Sequence, residues 1–136
     1  MTTRTELFVG LHHVRVPVSD VIRSRDWYCD VLGFECRLVF EDEDRVVGVV
    51  LDHECGLSLG LHLLPHAARA LHGFCCVALD VGDMDHLAHS CRELDGAGIP
   101  HSEPTQGHLG WYVEIRDPDS VVIQLHTSSR PSADEA

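Results

Sequence analysis

LSLGLH (Leu57–His62) and VVIQLH (Val121–His126) decide the fold of this chain. Each alternates large apolar residues with small or polar ones, the period-2 pattern of a strand with one buried face, and each closes on Leu-His. They stand about 64 residues apart, nearly half of the 136-residue chain. Other landmarks repeat at almost the same offset: the helix-ending glycines Gly33 and Gly98, and His13 with Cys76. Several landmarks at one offset imply an internal duplication, two half-size units that share a core because neither buries enough surface alone.

Working outward from these strands, each half reads strand–helix–strand–strand–strand. LHHVRVPV (Leu11–Val18) is a strand with Val14, Val16 and Val18 on one side and His13 and Arg15 on the other; Pro17 marks an edge or a bulge. Ser19-Asp20 caps a helix carrying Val21, Trp27, Tyr28, Val31 and Leu32, and Gly33 ends it. Strands Phe34–Phe40, Val46–Leu51 and Leu57–Leu64 follow, joined by the polar turn EDEDR and by DHECG. Residues 65–73, PHAARALHG, read as a linker. The second half opens with FCCVALDV (Phe74–Val81). Asp83 then caps a helix bearing Met84, Leu87, Ala88, Cys91 and Leu94, and DGAGIP stops it. An extended piece around His101–Gln106 and strands Trp111–Arg116 and Val121–Thr127 complete the plan, the last two joined by the turn DPDS. The expected organisation is α+β: modules 1–64 and 74–127 forming curved mixed sheets around a central pocket with helices outside, a linker at 65–73 and a disordered tail at 128–136.

Composition removes several function classes. The 44% hydrophobic content is that of a globular protein, and no apolar run reaches the ~20 residues that span a bilayer. The N-terminus lacks a secretory signal, so we expect a cytoplasmic protein whose six cysteines are reduced. A net charge of −12 argues against nucleic acid and anionic membranes and is compatible with a cationic ligand. Eleven histidines make much of that charge removable below about pH 6. No nucleophile–base motif, phosphate loop or dinucleotide fingerprint occurs, so no catalytic residue is assigned.

Strand parity sorts the side chains into faces. Val14/Val16/Val18, Leu57/Leu59/Leu61/Leu63, Cys75/Val77/Leu79 and Val121/Ile123/Leu125 pack under helices. The opposite faces carry His13 and Arg15; Ser58, Gly60, His62 and Leu64; Cys76, Ala78 and Asp80; and Val122, Gln124 and His126. This mixed, small and polar lining is a ligand pocket: His13, Arg15, His62, Cys76, Gln124, His126 and, with them, Trp111. Trp111 and Tyr112 stand on opposite parities, so one lines the pocket and the other packs. Arg15 can hold a carboxylate or phosphate bidentately, or pair with Asp80 on the repeat-related strand; the internal pair is favoured. His12 is expected at the strand start or on the helix side, in a structural role.

HVRVPVSD (His13–Asp20), RDWYCDVLGFE (Arg25–Glu35) and RDPDSVVIQL (Arg116–Leu125) resemble the first strand, the helix exit and the final hairpin of the vicinal oxygen chelate superfamily. That superfamily holds glyoxalase I, extradiol dioxygenases, and the fosfomycin and bleomycin resistance proteins. The resemblance spans roughly residues 8–127 and implies the duplicated βαβββ fold and a homodimer. In metal-using members four strand positions supply ligands. Carried over by position, these are His13, Gly60, Cys76 and Gln124, of which only His13 keeps the family's usual residue. A metal set of His13, Cys76 and Gln124, or one drawn from His62 and His126, would hold Zn, Ni, Fe or Mn; a site holding no metal is equally compatible. Two functions follow from the resemblance. One is a small-molecule binder with a degenerate metal site that sequesters its ligand. The other is a divalent-metal-dependent lyase or dioxygenase acting on a substrate with vicinal oxygens.

Overall fold

The computed structural model describes residues 5–128. The chain divides after Ala67 into two compact units. In the first, β1 (Val14–Val18), α1 (Val21–Leu32), β2 (Glu35–Asp42), β3 (Arg45–Asp52) and β4 (Ser58–Leu63) form a sheet of order β1-β4-β3-β2. In the second, which also begins near the end of α2 (Pro65–Ala70), β5 (Cys75–Gly82), α3 (Met84–Gly96), β6 (Thr105–Gly107), β7 (Gly110–Arg116) and β8 (Val122–Thr127) form a sheet of order β5-β8-β7-β6. In both, first and last strands pair parallel and the others antiparallel. The duplicated α+β plan is therefore present element by element, and neither sheet closes on itself.

Local chemistry sets the element ends. The Asp20 carboxylate accepts from the Arg23 N–H at 3.1 Å and starts α1; Gly33, at φ 76°, turns the chain out of it. Asp83 repeats the cap on α3, accepting from the His86 N–H at 2.9 Å. In the first unit Val16, Val18, Val49, Leu51, Leu59 and Leu61 close against Val21 and Tyr28 of α1, all fully or almost fully buried. In the second, Val113, Ile115, Ile123 and Leu125 close against Leu87 and Leu94 of α3. These are the apolar parities expected from the strands.

Three departures have physical causes. Residues 65–70, read as linker, form α2, because Pro65 sits where its missing N–H costs nothing and alanines follow. β1 begins at Val14, so His12 and His13 precede the ladder and parity does not govern them. In β5 the pairing skips from Cys75–Val122 to Val77–Ile123, so Cys76 occupies an irregularity where strict alternation fails. Of the tail, only Ser128 lies within the described residues.

Candidate functional site

The helix-free face of the first sheet holds a cavity of about 420 Å³ lined by His12, His13, Arg15, Arg37, Leu38, Phe40, Val50, Ser58, Gly60 and His62. Two glycines on neighbouring strands open it. Gly48 pairs with His62, and Gly60 pairs with Val50 on one side and Arg15 on the other. A Cβ at Gly48 would stand 3.6 Å from both the His62 and the Phe40 ring. The His62 imidazole turns back over Gly60: a Cβ there would lie 3.4 Å from His62 Nε2 and 3.7 Å from Arg15 Cγ. An Arg15 terminal nitrogen donates to His62 Nδ1 at 3.1 Å. Because guanidinium only donates, Nδ1 is the accepting nitrogen and the neutral ring carries its proton on Nε2. Burial first, then the charges of Arg15 and His13, hold the His62 pKa below the usual histidine value.

At the cavity mouth the Nδ1 atoms of His12 and His13 lie 2.8 Å apart, one donating and the other accepting. His12 is thus part of the site rather than a structural residue at the strand start. Arg37 is a further member, one not placed on either face from the sequence. The pairing of β2 with β3 skips between Cys36–Leu51 and Leu38–Val50, a β-bulge. The bulge brings both Arg37 and Leu38 to the cavity, while Cys36 stays opposite the buried Leu51. Arg37 is ion-paired with Asp52, which also accepts from the Ser58 hydroxyl at 2.6 Å. Those hydrogen bonds, Ser58 first and Arg37 second, lower the Asp52 pKa.

In the second unit, β7–β8 pairing puts Tyr112 opposite His126 and Glu114 opposite Gln124 on one face. Tyr112 stacks on His126 with ring centres 5.6 Å apart. Tyr112, not Trp111, accordingly shares the face of Gln124 and His126; Trp111 follows the parity of the buried Val113. His126 Nδ1 donates to the Thr127 carbonyl at 2.8 Å, leaving Nε2 as the accepting nitrogen of the neutral ring. The Gln124 amide donates to the Glu114 carboxylate at 3.2 Å. Burial, then Cys75 and Asp117, raise the Cys76 thiol pKa, away from the thiolate that binds metal. Asp80, the expected partner of Arg15, instead accepts from the Gly82 N–H at 2.7 Å, while Arg15 bonds His62.

The family's ligand positions do not fit a hard divalent ion. Gly60 offers no donor; beside it lie the His62 ring and the aliphatic stem of Arg15, whose guanidinium, bonded to His62 Nδ1, repels cations. Gln124 is neutral and engaged with Glu114, and the Cys76 thiol is held protonated. Among the described residues no three His, Cys, Asp or Glu side chains gather in ligating geometry.

No curated protein matches the sequence. Among solved structures, TnmS3, an antibiotic binding protein from Streptomyces sp. CB03234, is 25% identical with a TM-score of 0.68, covering 90% of this chain and 100% of that one. Lactoylglutathione lyase from Agrobacterium tumefaciens is 15% identical with a TM-score of 0.69, covering 90% and 96%. The fosfomycin resistance protein FosX from Listeria monocytogenes is 12% identical, also with a TM-score of 0.69 and the same coverage. The last two likenesses speak to the fold alone. The family model described as Glyoxalase/Bleomycin resistance protein/Dioxygenase superfamily matches residues 10–125, from before β1 into β8, and the chain belongs to that superfamily.

Proposed function

We propose that this chain binds and sequesters a small molecule on the helix-free sheet face, with its ancestral metal site degenerate. One observation carries the reading: at the side-chain-less Gly60, the position the resemblance assigns to a metal ligand, the His62 ring stands 3.4 Å from where a Cβ would lie, with Arg15 hydrogen-bonded to the other nitrogen of that ring at 3.1 Å. What remains is a preformed hollow with apolar walls from Leu38, Phe40 and Val50 and a few convergent polar groups, the usual build of a ligand pocket. The kinship with an antibiotic binding protein supports the same reading. We place the protein in the cytoplasm and expect a homodimer; none of its helices is long and apolar enough to cross a membrane among the described residues.

A screen of a diverse metabolite and antibiotic library by amide chemical shifts tests this. A ligand that shifts His13, Arg15, Gly60 and His62, and is recovered chemically unchanged, is the expected result. A ligand turned over, or one that leaves those amides unmoved, contradicts it.

The second reading, a divalent-metal-dependent lyase or dioxygenase acting on vicinal oxygens, draws on the other sheet. There the Glu114 carboxylate and the accepting His126 Nε2 share a face. Turnover abolished by both Glu114→Gln and a chelator would favour it.

A further inference from the structure

We infer that the ligand of the first-sheet cavity is an anion: an oxyanion head, carboxylate or phosphonate, on an apolar body. This rests on the binding reading above and adds its chemical class. The cavity lining holds two arginines and three histidines but no aspartate or glutamate, in a chain whose net charge is −12. No carboxylate is in the lining itself; Asp52 stands behind it, held by Arg37 and Ser58.

The two arginines are not equivalent. Arg37 is ion-paired with Asp52, so its charge is spent. Arg15 has no carboxylate partner among the described residues; its hydrogen bond goes to a neutral imidazole, which leaves the positive charge uncompensated. That bond also fixes the His62 tautomer, so Nε2–H stands as a donor over Gly60. The His62 Nε2–H faces the space beside Gly60 and the Arg15 guanidinium lies on the Nδ1 side of the same ring, both in the cavity lining. His13 and its partner His12 add two more imidazoles to the lining. Guanidinium with imidazole N–H donors is a set matched to a planar or tetrahedral oxyanion. Leu38, Phe40 and Val50 form the opposite, apolar wall, and a body of ring size fits against it.

The test uses the full chain and amide chemical-shift titrations with phenylphosphonate, benzamide and phenyltrimethylammonium, three probes with one ring and different head charge. Phenylphosphonate is expected to shift Arg15, Gly60 and His62, to bind at least tenfold more tightly than the other two, and to weaken severalfold when sodium chloride is raised. Arg15→Gln is expected to cost tenfold or more in affinity and Arg37→Gln much less, since Asp52 already neutralises that charge. Unchanged thermal melts show that both exposed variants fold. Equal or tighter binding of phenyltrimethylammonium or benzamide at these residues overturns the anion assignment but leaves a binding pocket. Wild-type affinity in Arg15→Gln, or no shift with phenylphosphonate, also overturns it. If neither these probes nor the library above moves the cavity amides, the binding reading falls as well.

Discussion

Replacing Gly110 by alanine strikes at the register that builds the second sheet's polar face. Gly110 begins β7 at φ 135°, a conformation L side chains rarely adopt, at a strain of about 1–3 kcal/mol. A Cβ there would lie 2.5 Å from Thr127 Oγ1 and 3.1 Å from the Thr127 carbonyl. Relieving such overlap costs about 1–3 kcal/mol. The same movement breaks the 3.0 Å hydrogen bond from the Trp111 N–H to Thr127 Oγ1, worth about 1 kcal/mol. Because partial relaxation makes these effects overlap, the expected loss is about 3–5 kcal/mol, a drop of roughly 10–20 °C in melting temperature for a chain of this size. Differential scanning calorimetry reads it directly. Gly10→Ala is the control, since a Cβ at Gly10 meets nothing within 4 Å. A Gly110→Ala melt within about 3 °C of wild type would show that β7 and β8 do not meet as described.

Further expectations follow from single contacts. Ser24 Oγ is buried in α1 without a hydrogen-bond partner, so Ser24→Ala is expected to be neutral or stabilising by about 1 kcal/mol in urea titrations. Leu61 is fully buried, and Leu61→Ala is expected to cost about 2–5 kcal/mol by the same assay. His101 donates from Nδ1 to the Ser102 carbonyl at 2.8 Å and from Nε2 to Asp95 at 2.7 Å; the backbone bond first, then the carboxylate, raises its pKa. A folded pKa above the unfolded value, about 6.5, gives stabilisation that is complete below that value and is lost as pH rises through the folded pKa. The urea midpoint of His101→Gln should therefore trail wild type at about pH 5.5 and approach it at about pH 8.5; a gap that widens with pH would refute the pairing.

The repeat was legible in the sequence because burial imposes period 2 on every core strand and capping imposes Asp20, Gly33 and Asp83 on the helices. Most of the first-sheet site was legible for the same reason: Arg15, Gly60 and His62 follow from the parity of Val16, Leu59 and Leu61. What escaped was where alternation breaks. A bulge after Cys36 delivers Arg37 to the cavity, and no residue type announces it. His13 was expected at the pocket and does line it, but His12, expected in a structural role, lines it too; both precede the ladder, where strand pairing does not set a ring's direction. Trp111 and Tyr112 differ by one residue, and choosing between them required the pairing of Tyr112 with His126. The Arg15 partner depended on reach: His62 stands on the adjoining strand, two residues beyond the Gly60 that pairs with Arg15.

Metal quantification in protein purified without chelator or affinity metal tests the central claim most directly. With no side chain at Gly60, the Arg15 guanidinium on the nearby His62 ring and Gln124 in place of a carboxylate, the prediction is substoichiometric metal in the wild type and measurable gain of Ni or Zn affinity in Gln124→Glu. Stoichiometric Zn, Ni, Mn or Fe in the wild type, lost on His13→Ala, would contradict it.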